Sequence, residues 1–145
     1  MAYTDIDDPT AFFQTLLWTG DGSNRSLTFD GNSDLQPDWS WIKQRSGTNY
    51  HTLTDSVRGL NKQIYSNASD AEATQTTNIT AYGSNGVSLG TDSNVNGNSS
   101  TYVGWFWKAG TSFTNDASST GIGDIDSAGS VNTDAGFSVI TATSD

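Results

Sequence analysis

The sequence predicts an all-β fold, a single-domain antiparallel β-sandwich of jelly-roll-like kind, and three observations carry that prediction. Hydrophobic residues make up only 33% of the chain, yet five Trp, five Tyr and six Phe are among them, so burial must come from few, large side chains. The remainder is dominated by Ser, Thr, Asn, Asp and Gly, which hydrogen-bond their own backbone in turns and so compete with helix. The aromatic residues fall in short blocks of alternating pattern between turn signals, as strands require. Charged residues are 15%, too few for a chain kept unfolded by charge, and 145 residues suit one domain.

The elements follow in order. Residues 1–10, with Asp5, Asp7, Asp8 and Pro9, read as an N-terminal arm that offers nothing to a core. The sandwich core is expected over 11–110. Residues 11–19 form a first strand, and the Gly20-Asp21-Gly22 turn followed by RSLTF (25–29) makes a hairpin the simplest reading. DGNSD (30–34) is a second turn, DWSWIKQR (38–45) alternates strictly, and YHTLTDS (50–56) follows a Ser46-Gly47 turn, so the strands space like a meander. After KQIYSN, the segment 67–76 is the one place where a helical turn fits, with Ser69 or Asp70 as its cap and Glu72 in its first turn. Asn85-Gly86 between ITAY and VSL is a strong hairpin signal. STYVGWFWKAG (100–110) is the longest aromatic strand and the candidate for the centre of a sheet. Residues 111–130 are rich in Gly and Ser and lack pattern, as a linker or long loop would. In 131–145, GFSVITATS is either the strand that completes the sandwich or the start of a second repeat, since Phe13, Thr19 and Asp21 align with Phe137, Thr143 and Asp145.

Six Lys and Arg against sixteen Asp and Glu give a net charge of −10, which repels phosphate backbones and anionic membranes, so nucleic acid is not an expected partner. Without cysteine there is no disulfide framework and no thiolate zinc site. The opening MAYTDIDDPTAFF lacks the positive segment and apolar run of a secretory signal, and no stretch approaches the length of a membrane span, so membrane insertion is not expected.

Candidate sites are few. His51 lies near Asp55 and Ser56, but along a strand four residues span about 13 Å, beyond the reach a base and its orienting carboxylate need. A solvated strand histidine is the plainer reading; neither catalysis nor a cofactor is expected. Asp92, Asn94, Asn96 and Gly97 reproduce the first half of a calcium loop, but its twelfth position is Val103, where a bidentate carboxylate belongs. Asx-rich turns explain the same letters, so no metal is assigned and Asp92, Asn94 and Asn96 stay weak candidates.

The aromatic strands carry more. Trp39, Trp41, Lys43 and Arg45 share one face of their strand, opposite Ser40, Ile42 and Gln44; Val103, Trp105 and Trp107 oppose Tyr102 and Phe106. A strand large and apolar on both sides has one face on the core and the other under a loop or a neighbouring subunit. The tryptophan face of 38–45 reads as the core side, its tail of cations emerging into solvent. The alternative makes Trp39, Trp41, Trp105 and Trp107 a ligand-binding surface, either a platform for host-surface glycans or a subunit contact. In DSVRG, Asp55 and Arg58 look like a turn held by an ion pair. Lys43, Arg45, Arg58 and Lys62 fall within twenty residues, either paired with carboxylates or forming a patch for an acidic partner such as another copy of this chain.

The segments YTDIDDPTAFFQTLLWTGDG, GNSDLQPDWSWIKQRS, HTLTDSVRG, GVSLGTDSNVNG, STYVGWFWKAG and SVNTDAGFSVIT, in that order, resemble a repeat module of virion and tail-fibre-like proteins of tailed bacteriophages, especially marine ones. That resemblance implies a β-rich, non-enzymatic module of the virion surface, in a tail fibre or a head fibre or decoration, often in tandem copies and sometimes serving host attachment. It implies other virion proteins as partners and assembly as a homo-oligomer. It supplies no ligand-binding residues.

Overall fold

The structure, a computed structural model, describes residues 6–143 and is an all-β, antiparallel sandwich. A single 3₁₀ turn, Pro9–Ala11, leads into the first strand. The largest sheet holds β1 (Phe13–Thr19), β9 (Thr101–Trp107), β3 (Trp39–Gln44), β4 (Thr52–Asp55), β5 (Lys62–Tyr65) and β6 (Ala73–Thr74), in that spatial order. A second sheet, β2 (Arg25–Thr28), β8 (Gly86–Leu89) and β7 (Ile79–Gly83), packs on one face of the first. A third, β10 (Thr111–Asn115), β11 (Ser127–Asn132) and β12 (Phe137–Ala142), follows it in the chain. Two single helical turns, α1 (Ser93–Asn96) and α2 (Ala117–Thr120), complete the elements.

Two long partners explain the place of β9: it pairs along its whole length with the seven residues of β1, from Phe13↔Trp107 to Thr19↔Thr101, and over six residues with β3, from Trp39↔Trp107 to Gln44↔Tyr102. Its alternation sends Tyr102, Gly104 and Phe106 inward, where Tyr102 and Phe106 are fully buried, and sends Val103, Trp105 and Trp107 outward, where they are half-buried. The inward residues meet Trp18, Ile42, Leu35, Phe29, Leu27, Val87, Leu89 and Ile79, the core between the two sheets. The Phe106 ring folds back over Gly104, so a Cβ there would lie 2.7 Å from it and 3.1 Å from Trp18; the core needs glycine at that position. Two hydrogen bonds fasten the edge near α1: Trp18 Nε1 donates to the Val95 carbonyl at 3.0 Å, and the Tyr102 hydroxyl donates to that of Ser93 at 2.7 Å.

The β3–β4 and β7–β8 hairpins form where the turn signals place them, the latter closing at Gly83↔Gly86. Several expectations are corrected. β1 and β2 are not a hairpin: β1 pairs β9 and β2 pairs β8, so the Gly20-Asp21-Gly22 turn carries the chain from one sheet to the other, and no meander runs from β2 to β4. Burial of Trp18 and Leu27 on facing sheets accomplishes what local pairing would not. No helix forms over 67–76; the segment contributes the edge strand β6, and Glu72 pairs with Arg58 and Lys62 instead of serving a first helical turn. Residues 111–130 are not a structureless linker, because β10, α2 and the start of β11 lie within them. Their Gly and Ser residues hide the pattern: Gly129 sits where a Cβ would be 2.4 Å from the Val139 carbonyl oxygen. Of the N-terminal arm, residues 1–5 lie outside the described residues, but Asp8 is tied to the fold, capping the 3₁₀ turn and accepting from the Thr10 and Ser33 hydroxyls at 2.6 Å each.

Candidate functional site

The outward face of the large sheet is where four of the five tryptophans lie. Register aligns them in two cross-strand rows: Phe13, Trp107, Trp39 and Asp55 in one, and Thr15, Trp105, Trp41, Leu53 and Ile64 in the other. A third, shorter row runs from Leu17 through Val103 to Lys43. The tryptophan side of β3 is therefore not the core side. Ser40 and Ile42 are fully buried on the inner face, while Trp39 and Trp41 are half-buried outside, because the inner space is already filled by Tyr102 and Phe106.

The rings pack into one another. Trp39 meets Trp107 at 4.7 Å and 66°, Trp41 meets Trp105 at 5.5 Å and 53°, and Trp39 meets Trp41 edge-on at 6.5 Å and 72°. Such crossed rings use their faces and edges on each other, the favourable arrangement for aromatic quadrupoles, rather than lying coplanar as a platform. One end of the face is closed by the chain itself: Phe137 of β12 stacks on Trp107 at 5.8 Å and meets Trp39 at 6.1 Å. Trp107 also receives Phe13, at 4.7 Å, so the two phenylalanines that align between first and last strands converge on one indole. The strands carrying them lie in different sheets, and Asp145 is outside the described residues.

Asp38 fixes the third sheet at that end. Its carboxylate accepts from the backbone N–H groups of Ala109 and Gly110 at 2.8 and 3.0 Å and from the Ser56 hydroxyl, while Gly110, at φ +76°, makes the turn into β10. The other end of the outer face is open: Leu17 is 61% and Ile64 40% exposed, beside half-buried Trp41, Trp105 and Leu53.

The Asp55–Arg58 pair forms. The Asp55 carboxylate, 2% exposed, takes Arg58 Nε at 2.6 Å and the Arg58 backbone N–H at 2.7 Å, and the same guanidinium reaches Glu72 at 3.1 Å. With Lys62 at 3.8 Å from Glu72, this network ties β4 and β5 to the β6 edge. Of the two readings of the four cations, pairing with carboxylates holds for Arg58 and Lys62; Lys43 Nζ donates to the carbonyls of Gln44 and Gly47, which leaves Arg45 exposed beside Leu17 and Thr101.

Asp55 is thus engaged away from His51, whose ring is held below its ordinary pKa by burial and by Lys43. Nor do the calcium-loop letters converge on a cage. Asp92 caps α1 through the Asn94 backbone N–H, and the Asn96 amide nitrogen donates to the Asp21 carboxylate and to the carbonyls of Ser23 and Gly90. Asn96 is a fully buried fastener of three turns. The residues that sequence reasoning missed are Asp38, Phe137 and the aliphatic members of the outer rows; the period-two alternation of 136–144 marks Phe137 as inward-facing but not what it faces.

The model of a family described as a domain of unknown function (DUF7483) matches residues 8–145, and the chain belongs to that family. No curated protein and no solved structure matches the chain.

Proposed function

For a member of this domain family, whose function is unknown, we propose a non-enzymatic structural role at the surface of a bacteriophage virion, in a tail fibre or a head fibre or decoration, with the outer face of the large sheet as its contact with neighbouring subunits. The observation that supports it most is the half-closed apolar face. The third sheet covers the Trp39–Trp107 end through Phe137, while Leu17, Trp41, Trp105, Leu53 and Ile64 form a contiguous patch across five strands that the chain leaves partly in water. The resemblance of the ordered segments to virion modules supplies the setting. Partners are other copies and other virion proteins, and the place of the protein is the particle.

A chain of net charge −10 repels its own copies, so assembly through an apolar face is opposed at low salt and favoured as salt screens the repulsion. Sedimentation equilibrium at about 100 μM, above the Kd of a specific interface, tests this. Association that strengthens with salt and is lost in a Leu17→Asp, Ile64→Asp double variant is expected. A monomer at every salt concentration that also fails to bind purified phage heads and tails overturns the proposal. A glycan platform on the same tryptophans is the weaker reading, because their rings cross at 53° to 72°.

A further inference from the structure

A second cluster of aromatic and amide groups lies away from the tryptophan face. Tyr50, 42% exposed, stacks on Tyr65 at 4.2 Å and 19°, so one side of its ring is held and the other faces solvent. It lines a cleft of about 310 Å³ with Thr48, Asn49, Asn67 and Asn94. Three separate segments supply these residues: the β3–β4 connection, the loop after β5, and α1.

Their positions are fixed by bonds that leave the groups suited to a ligand unused. Asn67 Oδ1 accepts from the His51 backbone N–H at 2.8 Å, which leaves its Nδ2 without a partner among the described residues. Asn49 Nδ2 donates to the Ser93 carbonyl at 2.9 Å, which leaves its Oδ1. Asn94 is held through its backbone N–H by Asp92, and among the described residues neither its side-chain amide nor the Thr48 hydroxyl is engaged. Asp70 beside Tyr50, and Asp92 and Asp70 near Tyr65, set a negative field over the cleft.

We propose that this cleft is a binding subsite for a neutral saccharide: one face of a hexose ring stacks on Tyr50, and its hydroxyls bond to Asn49, Asn67, Asn94 and Thr48. The chemistry selects that class. A sugar ring offers an apolar C–H face for an aromatic ring and hydroxyls that both donate and accept, which paired amides match. The acidic surroundings disfavour sialylated or phosphorylated sugars. The subsite is independent of the subunit contact proposed for the tryptophan face, and neither needs the other.

Titration of ¹⁵N-labelled protein with maltotriose, mannotriose and galactotriose, alongside 3′-sialyllactose, tests it by following side-chain amide and indole N–H signals. At least one neutral trisaccharide is expected to shift the Asn49, Asn67 and Asn94 amides with Kd on the order of 1 mM, fitting one ring and a few amides. Sialyllactose is expected to leave them still. Tyr50→Ala and Asn94→Ala each weaken binding about ten-fold or more, while Tyr50→Trp preserves it, provided the backbone spectrum shows the fold intact. The subsite is overturned if none of the three neutral sugars moves these amides, if the shifts appear at the Trp41 and Trp105 indoles instead, or if Tyr50→Ala binds as wild type does.

Discussion

The two faces of β9 carry the same kind of side chain and meet different fates. Inward, Tyr102 and Phe106 are sealed by a second sheet that closes over them. Outward, Trp105 and Trp107 lie in rows of half-buried rings, covered at one end by Phe137 and open at the other beside Leu17 and Ile64. Aromatic content by itself therefore does not mark a core; a core needs an element that closes over it. The inner face holds the fold together, and the outer face leaves apolar surface at Leu17 and Ile64 exposed to solvent.

Substitutions on each face sharpen that contrast. Phe106→Ala, on the sealed face, is expected to cost about 3–5 kcal/mol, the largest effect, read from the shift of the urea unfolding midpoint. Arg58→Ala comes next, at about 3 kcal/mol by the same measurement, because it leaves the Asp55 carboxylate buried without its partner. On the outer face, Phe137→Ala removes two ring contacts and should cost about 1–3 kcal/mol. Its sharper signature is local: faster amide exchange in β10, β11 and β12 with β9 unchanged. A loss as large as that of Phe106→Ala, with exchange raised across β9, would make the third sheet part of the main core and erase the contrast.

The smallest effect concerns pH. His51 has its pKa lowered by burial and by Lys43, so the folded chain takes up the proton less readily than the unfolded one. The stabilisation is complete above the ordinary value near 6.5 and is lost as pH falls from there through the lower folded value. Thermal melts of His51→Gln should lose slightly less stability than wild type between those values. Equal slopes would show that His51 is solvated in both states.

Much of the architecture was legible because strand alternation and turn chemistry are local. The doubly paired strand β9, the β3–β4 hairpin, the β7–β8 hairpin and the last strand all follow from short-range pattern, although β9 lies second from the edge of its sheet. Sheet membership was not legible. β2 leaves β1 for β8, a choice made by burial of Leu27 against residues far along the chain, to which the Gly20-Asp21-Gly22 turn is indifferent. The same limit inverted β3. Its alternation gives two faces, but only the contents of the sandwich decide that Ile42 turns in and Trp41 out. Of the candidate residues, the Asp55–Arg58 pair was readable because its members stand three positions apart, whereas Phe137 meets Trp39 across nearly a hundred residues of chain. The Tyr50 cleft draws on three segments, and no spacing announces it.

The density of this chain on intact phage particles tests the proposed contact face most directly. A neighbouring subunit should lie over Leu17, Trp41, Trp105 and Ile64, with Phe137 still seated on Trp107. Particles in which every copy leaves that patch open to solvent, or which do not contain the chain at all, would contradict it.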